Sequence, residues 1–204
     1  MRGLYLVTPN WDDTAALVTA TAQALRFKIA ALVQYRHKSA GPELRREQAV
    51  QLLALCRRHA VPFIINDFID LCLELDADGV HVGGTDASVA EARKLLGAGK
   101  IVGASCYGDR QLALAAAANG ASYVAFGGFY PSKVKQYPVT TRADIVSWAK
   151  AEIALPCVVI GGMTPANAAP LVARGADMVA AISSVYGAPL IDVAMHEFAP
   201  LFAE

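Results

Sequence analysis

Short apolar runs and longer amphipathic stretches alternate along the whole chain. Eight runs are apolar almost throughout, and they lie at residues 3–8, 30–36, 62–66, 79–82, 101–105, 122–127, 156–162 and 177–183. Strands without polar alternation are typical of a parallel sheet that is buried on both faces. The pattern therefore predicts eight parallel strands.

The stretches between these runs show helical periodicity. The clearest examples are residues 44–60, 88–97, 110–120 and 165–176, and several of them close on glycine, as helices often do. Eight strands alternating with helices predict an α/β fold, a single (β/α)8 barrel over residues 1–204. The alternative is an open doubly wound sheet, which normally carries a glycine-rich turn after its first strand. Residues 6–13, LVTPNWDD, contain no glycine, which favours the barrel.

Composition narrows the classes of function. The 18 basic and 18 acidic residues give a formal net charge of zero, so no global field favours a polyanion or an anionic membrane. We therefore expect neither a nucleic-acid partner nor membrane association. The four cysteines show no C-x-x-C spacing and lie within or beside apolar runs, which is typical of buried free thiols in a reducing compartment. The apolar stretch at the start is too short for a signal peptide core, and we expect a cytoplasmic protein.

Polar residues and glycines follow the predicted strands. In (β/α)8 barrels the chemistry lies at these strand ends, on the loops that lead into the helices. The residues found there are Gln34, Arg36, Lys38, Asn66, Asp67, Asp86, Ser105, Ser132, Lys133, Lys135, Gly161, Gly162, Ser183 and Ser184. They include cationic side chains, carboxylates, hydroxyl groups, and glycines whose backbone is open to a ligand. This set predicts a site for small phosphorylated ligands and a divalent metal.

The Asn66-Asp67 pair follows an apolar run directly. The pair could serve only as a helix cap or a turn between two elements, because Asn and Asp cap helices and tolerate turn geometry. At the end of a barrel strand, however, the same pair presents a carboxylate to the site. Mg²⁺ is usually held by one or two carboxylates, with water and phosphate oxygens completing its shell. Asp67 and Asp86 are therefore the candidate Mg²⁺ ligands.

The glycine pair Gly161-Gly162 precedes a predicted helix. Free N–H groups and the helix dipole at such a position favour a phosphate, although two glycines also suit an ordinary turn. Ile182 and Ser183 would complete the same phosphate site with backbone N–H and hydroxyl donors. We expect one phosphate to bind between the last two strands.

Three cations would neutralise a second, more highly charged group. Arg36 offers a planar fork, and Lys38 and Lys135 offer point charges, so together they suit a diphosphate. His37 is expected to alternate away from the side of Arg36 and Lys38. We interpret both His37 and His81 as structural.

The motifs resemble the thiamine-phosphate synthase family over nearly the whole chain. They are LYLVT at 4–8, VQYRHK at 33–38, FIIND at 63–67, ADGVHVGGTD at 77–86, VGAS at 102–105, YVAFGGFYPSKVK at 123–135, VVIGGMTPAN at 158–167 and GADMVAAISSV at 175–185. The resemblance implies a (β/α)8 barrel that requires Mg²⁺. It also implies the joining of 4-amino-2-methyl-5-(diphosphomethyl)pyrimidine to a thiazole phosphate, which gives thiamine phosphate and pyrophosphate through a dissociative, Mg²⁺-assisted displacement.

The family's site residues carry over by motif. Those implied to hold the pyrimidine and its diphosphate are Gln34, Arg36, Lys38, Asn66, Ser105, Ser132 and Lys135. Among them, Arg36, Ser105 and Lys135 are expected to be catalytic. The implied metal ligands are Asp67 and Asp86, and those for the thiazole phosphate are Gly162, Ile182 and Ser183.

Three positions depart from the family pattern. The loop that usually reads P-T-K-T-K is PSKVK at 131–135, so one hydroxyl is replaced by Val134. The usual Gln-Glu-Asp is GTD at 84–86, which keeps only the aspartate. Tyr107 stands where the family often has His. None of these changes removes a charged group from the predicted site.

Two other functions are compatible with parts of the sequence. A thiazole tautomerase of the same superfamily would also carry IGGMTP at 160–165, but that branch tends to lose the Asn-Asp pair and carries a His after F-G, where this chain has Gly128. A non-catalytic barrel that binds thiazole phosphate is the alternative outside enzymes. A homo-oligomer is compatible with the sequence but is not indicated by it.

Overall fold

Eight parallel strands close into a barrel in this computed structural model of the chain. They pair in chain order, and β1 also pairs with β8. The strands are β1 Gly3–Val7, β2 Ala30–Tyr35, β3 Phe63–Asn66, β4 Gly79–Val82, β5 Ile101–Tyr107, β6 Tyr123–Phe126, β7 Cys157–Val159 and β8 Met178–Ala181. The structure describes residues 1–83, 87–131 and 140–203. The predicted (β/α)8 barrel is confirmed, and the open sheet is excluded.

Helices alternate with the strands on the outside of the barrel. They are α1 Thr14–Leu25, α2 Pro42–His59, α3 Ile69–Leu75, α4 Val89–Leu96, α5 Arg110–Ala118, α6 Asp144–Glu152, α7 Pro165–Val172, α8 Ser183–Tyr186 and α9 Ile191–Phe198, followed by a 3-10 turn at Ala199–Phe202. The helix predicted at 165–176 ends early, at Val172, because the next backbone N–H groups form tighter turn bonds, such as Gly175 N–H to Val172 O at 2.9 Å.

Two strands differ from their predicted bounds in ways that shape the site. The seventh was predicted over 156–162 but ends at Val159, before Gly161 and Gly162 with φ of 109° and 61°. Such positive φ values lie outside the extended region, so the glycines form a loop. The fifth was predicted to end at Ser105 but continues to Tyr107 through a bulge in its pairing with β6. Bulges commonly redirect side chains at barrel rims.

The apolar side chains form two layers. The larger one fills the space between the strands and the surrounding helices. The smaller one lies inside the barrel, and its members are Tyr5, Val7, Leu32, Ile64, Tyr123, Ala125, Val158, Met178 and Ala180. The interior is therefore packed, and any ligand has to bind above this layer.

All four cysteines are free and buried, as the sequence predicts. Burial raises the pKa of the Cys72 thiol to about 11 and that of the Cys106 thiol to about 12. Thiols of this kind are poor nucleophiles near neutral pH.

None of the helices within the described part of the chain is both long and apolar enough to cross a membrane.

Candidate active site

A cavity of about 460 Å³ opens where the strands end. Residues of all eight strands or of the loops that follow them line it, and its floor includes Tyr5, Val7, Ala125, Val158 and Ala180 from the interior layer. The cavity volume lies within the usual range for sites that bind small molecules. In barrels of this class, this is the face that carries the chemistry.

The cavity brings together most of the residues that the sequence singles out. The predicted site residues that line it are Gln34, Arg36, Lys38, Asn66, Asp67, Ser105, Gly161, Gly162, Ile182, Ser183 and Ser184. Four others lie outside the described residues, namely Asp86, Ser132, Lys133 and Lys135. The location of the first group follows from the structure, whereas their roles remain predictions.

Asp67 has a backbone conformation that suits its residue type. Its φ is 67°, a left-handed value at which Asp and Asn are enriched among residues other than glycine. The Asp67 N–H donates to His81 O at 3.0 Å, which ties the end of β3 to β4. The next helix begins at Ile69 with Phe68 as its N-cap, and no side chain caps it. The Asn66-Asp67 pair is therefore not the cap of α3.

The Asp67 carboxylate forms an ion pair at the cavity. Lys38 Nζ lies 2.8 Å from Asp67 Oδ2, and the Asp67 side chain is only 16% exposed whereas that of Lys38 is 49% exposed. An ion pair with one exposed partner contributes little stability, typically below about 1 kcal/mol. The half-exposed Lys38 side chain therefore keeps contact with solvent while it pairs with Asp67.

The donor set around Asp67 fits Mg²⁺. A carboxylate from Asp67 and an amide oxygen from the neighbouring Asn66 are ligand types that this hard cation prefers, and both residues line the cavity. Among residues 1–83, 87–131 and 140–203, no cluster of three His, Cys, Asp or Glu side chains forms a complete protein site. Asp86, the second predicted ligand, lies outside the described residues.

The end of β2 directs its cations into the cavity. The Arg36 N–H donates to Thr8 Oγ1 at 2.8 Å, which fixes the strand end against β1. Arg36 and Lys38 line the cavity, while the His37 side chain is buried elsewhere, with Nε2 3.0 Å from Asp12 Oδ1. The predicted alternation of His37 away from the two cations is confirmed.

His81 lies at the cavity, and the interpretation of this residue as structural stays a prediction. It lines the cavity, and its Nε2 lies 2.8 Å from Ser105 Oγ. His81 is paired in register with Asn66 on the neighbouring strand, and this pairing is visible only in the structure. Both side chains line the cavity.

A buried network of hydrogen bonds connects His81 to the floor of the cavity. His81 Nδ1 lies 2.9 Å from the Tyr123 hydroxyl, which lies 2.6 Å from the Tyr5 hydroxyl. Gln34 Nε2 donates to the Tyr5 hydroxyl at 2.6 Å. We call Gln34, Tyr5, Tyr123, His81 and Ser105 the interior network. Sequence reasoning missed the two tyrosines, since nothing marks them as different from other apolar strand residues.

Burial keeps both tyrosines of the network neutral. Desolvation, the largest effect, raises the pKa of Tyr5 and of Tyr123 well above the usual value of 10.0. Each hydroxyl therefore retains its single proton across the physiological range.

Hydrogen bonds hold the glycine loop at which the sequence predicts a phosphate. Helix α7 is capped by its own residues, because Thr164 Oγ1 accepts the Asn167 N–H while Asn167 Oδ1 accepts the Thr164 N–H. Asn167 Nδ2 also donates to Gly162 O at 2.9 Å and so holds the glycine loop. The groups that line the cavity here are Gly161, Gly162 and the first residues of α8. The expected phosphate position between the last two strands stays a prediction.

Comparison with known proteins agrees with this geometry. A family model described as thiamine monophosphate synthase matches residues 4–185. The chain belongs to this family. The resemblance seen in the sequence is therefore confirmed, as is the expectation that the chain is an enzyme of the transferase class.

Individual relatives are similar over their full length. The chain is 63% identical over 204 residues to a thiamine-phosphate synthase of Janthinobacterium sp. (strain Marseille), covering 100% of this chain and 98% of the relative. It is 50% identical over 203 residues to a thiamine-phosphate synthase of Thiobacillus denitrificans, and the match covers 98% of this chain and 95% of that relative. A solved structure, thiamine phosphate pyrophosphorylase from Pyrococcus furiosus, superposes with a TM-score of 0.84 at 28% identity, covering 98% of this chain and 95% of that one.

Proposed function

We propose that the chain is a thiamine-phosphate synthase. It would join 4-amino-2-methyl-5-(diphosphomethyl)pyrimidine to a thiazole phosphate and release pyrophosphate in a dissociative, Mg²⁺-assisted displacement. Membership of the family supports the reaction. The observation that carries the proposal is the cavity itself, which collects polar groups from separate strand ends around an apolar floor.

The floor of the cavity suits the pyrimidine ring. Val7, Ala125, Val158 and Ala180 offer apolar contacts to a flat heterocycle, while Gln34 offers a side-chain amide at its edge. Apolar walls with a few polar groups are the usual composition of a small-molecule site. We assign the aminopyrimidine to this part of the cavity.

The diphosphate would lie toward Arg36, Lys38 and Asp67. Mg²⁺ bound at Asp67, with Asp86 as the expected second ligand, would supply positive charge to the leaving diphosphate. The Lys38 ammonium would move from the Asp67 carboxylate to a phosphate oxygen, which the weak and partly exposed ion pair permits. Lys135 and Ser132 would add contacts from the loop after β6.

The thiazole phosphate would bind at the opposite side, between β7 and β8. The backbone N–H groups of Gly161 and Gly162 and the hydroxyl of Ser183 are the donors for its phosphate. This arrangement would hold the thiazole nitrogen near the methylene carbon of the pyrimidine.

The mechanism requires charge stabilisation rather than a protein nucleophile. Pyrophosphate leaves from a benzylic-type carbon of an electron-rich ring, which supports a cation until the thiazole nitrogen attacks. Arg36, Lys38 and Lys135 would stabilise the negative charge that develops on the departing group. The closed apolar floor would hold the two rings in line and exclude water from the cationic intermediate.

Measurement of pyrophosphate release separates the candidate functions. A synthase releases pyrophosphate only when both substrates and Mg²⁺ are present, and it forms thiamine phosphate in equal amount. A tautomerase would convert the thiazole phosphate alone and release none. A binding barrel would retain the thiazole phosphate without changing either substrate, so either of these results would overturn the proposal.

A further inference from the structure

The interior network crosses the barrel below the proposed substrate site. Both of its ends, Gln34 and Ser105, line the cavity, whereas Tyr5 and Tyr123 are 1% and 0% exposed. Every link is between 2.6 and 2.9 Å long. In a continuous chain of hydrogen bonds, each hydroxyl has only one proton to donate. The donor in one hydrogen bond therefore determines the donor in the next, and this order is the direction of the network.

The direction follows from the first link and from burial. The Gln34 amide nitrogen can only donate, so the Tyr5 oxygen accepts. The Tyr5 hydroxyl is buried and its proton needs an acceptor, and the Tyr123 oxygen at 2.6 Å provides one. The Tyr123 proton then goes to His81 Nδ1, which must be unprotonated to accept it. With the network in this direction, the imidazole carries its proton on Nε2.

The last link ends at the cavity. His81 Nε2–H donates to Ser105 Oγ, so the serine oxygen is used as an acceptor within the network. The Ser105 proton is then available to a ligand. At the other end, the Gln34 amide donates through Nε2 and retains Oε1 as an acceptor.

We propose that Tyr5, Tyr123 and His81 are positioning residues that fix the direction of the interior network, so that Ser105 donates to the bound pyrimidine diphosphate and Gln34 accepts from its exocyclic amine. The assignment of these two substrate contacts rests on the proposed function. The direction of the network in the ligand-free protein does not depend on it.

Packing holds the network in place. The rings of Tyr5 and Tyr123 meet edge to face at 5.7 Å, and the His81 ring stacks on Tyr123 with an interplanar angle of 20°. Gly103 on β5 leaves the space that Tyr123 occupies, since a Cβ at that position would lie 2.0 Å from Tyr123 Cζ. The rings thus have little freedom to form other hydrogen bonds.

The test reverses the network from one end. Gln34→Glu changes the shape little, but an ionised carboxylate can only accept, so the Tyr5 proton would turn toward it. The donor and acceptor of each following hydrogen bond would then exchange roles. His81 would carry its proton on Nδ1 instead of Nε2. Nitrogen-detected NMR of the imidazole rings in the ligand-free protein reports the tautomer directly. Because burial raises the pKa of a carboxyl group at position 34, the spectra are recorded as a pH series that extends to the range in which this group is ionised. His81→Asn identifies which of the four histidines gives the signal.

Tyr123→Phe is the matched control. It keeps the ring that packs against Tyr5 and His81 but removes the oxygen that links them. In this background, Gln34→Glu should leave the His81 tautomer unchanged, because the two ends are no longer connected. Thermal unfolding of each variant shows whether the barrel is intact.

The expected results are a proton on Nε2 of His81 in the wild-type protein, a proton on Nδ1 in Gln34→Glu, and no such change when Tyr123→Phe is also present. A proton on Nδ1 in the wild-type protein would overturn the proposed direction, even if no variant folds. A tautomer change that persists without the Tyr123 hydroxyl would show that the network does not transmit it.

Kinetics tests the consequence for the substrate separately. Tyr123→Phe should lower kcat about tenfold, the effect of one weakened hydrogen bond to a charged group, and should change the KM for thiazole phosphate little. An unchanged kcat would contradict the positioning role. If wild-type protein releases no pyrophosphate but shows the predicted tautomer, the proposed function fails and the direction of the network stands.

Discussion

Asp67→Asn tests the metal assignment with little change in structure. Asn is nearly isosteric with Asp and tolerates the left-handed backbone at φ 67°. The substitution therefore removes one negative charge, 2.8 Å from Lys38 Nζ, and leaves the loop in place.

The expected effects on stability and on activity differ in size. Because the Lys38 side chain is 49% exposed, loss of the ion pair should lower the free energy of unfolding by about 1 kcal/mol or less. Loss of a Mg²⁺ ligand should weaken the stabilisation of the leaving diphosphate and reduce kcat/KM about 10²-fold, or about 2.7 kcal/mol. The activity should therefore fall far more than the stability.

The assay is pyrophosphate release as a function of Mg²⁺ concentration. Asp67→Asn should require a higher Mg²⁺ concentration for half-maximal rate. Lys38→Met removes the same ion pair without removing the carboxylate, so it should raise the KM for the pyrimidine diphosphate while leaving the Mg²⁺ dependence near that of the wild type.

A second control breaks an ion pair far from the site. Asp192 on α9 lies 3.3 Å from Arg26 and does not line the cavity, so Asp192→Asn should leave both activity and Mg²⁺ dependence unchanged. If Asp67→Asn shows the wild-type Mg²⁺ dependence, or if Lys38→Met shifts it equally, Asp67 acts through its ion pair and not as a metal ligand.

Three further predictions concern the phosphate sites and the thiols. Ser183→Ala should raise the KM for thiazole phosphate several-fold more than that for the pyrimidine diphosphate; equal changes in steady-state kinetics would argue against the assigned phosphate position. Val134→Thr should raise catalytic efficiency about three- to ten-fold and Lys135→Ala should lower it about 10²-fold, because the first restores a donor and the second removes a charge. If neither variant changes catalytic efficiency, the leaving group does not bind beside the loop after β6. Burial raises the pKa of Cys72 from 9.0 to about 11, so unfolding exposes a stronger acid. The stabilising contribution of this buried thiol should be complete below pH 9 and lost as the pH rises toward 11, which unfolding curves of Cys72→Ser and wild type would reveal as converging stabilities.

Hydrophobic patterning was sufficient to predict the barrel. The strands are apolar throughout, and this property depends on local sequence and on burial from both sides. The same pattern located the strand ends and therefore Asp67, whose position at the cavity follows from the topology. Residue type alone did not reveal that Asp67 adopts a left-handed backbone, because Asp is common both in helix caps and at positive φ.

The interior of the barrel was harder to predict. Tyr5 and Tyr123 occupy inward positions on opposite parts of the sheet, and their hydroxyls meet only after the barrel has closed. His81 belongs to the same group, so its link to Ser105 depends on contacts between strands that the linear pattern does not contain. The capping of α7 by Thr164 and Asn167 was likewise visible only once both side chains were placed.

A crystal structure of the protein grown with thiamine phosphate, pyrophosphate and Mg²⁺ tests the central claim most directly. The account predicts pyrophosphate and the metal beside Arg36, Lys38 and Asp67, the pyrimidine ring on the cavity floor, and the phosphate of thiamine phosphate against Gly162 and Ser183. Products bound outside this cavity, or a metal that does not contact Asp67, would contradict it.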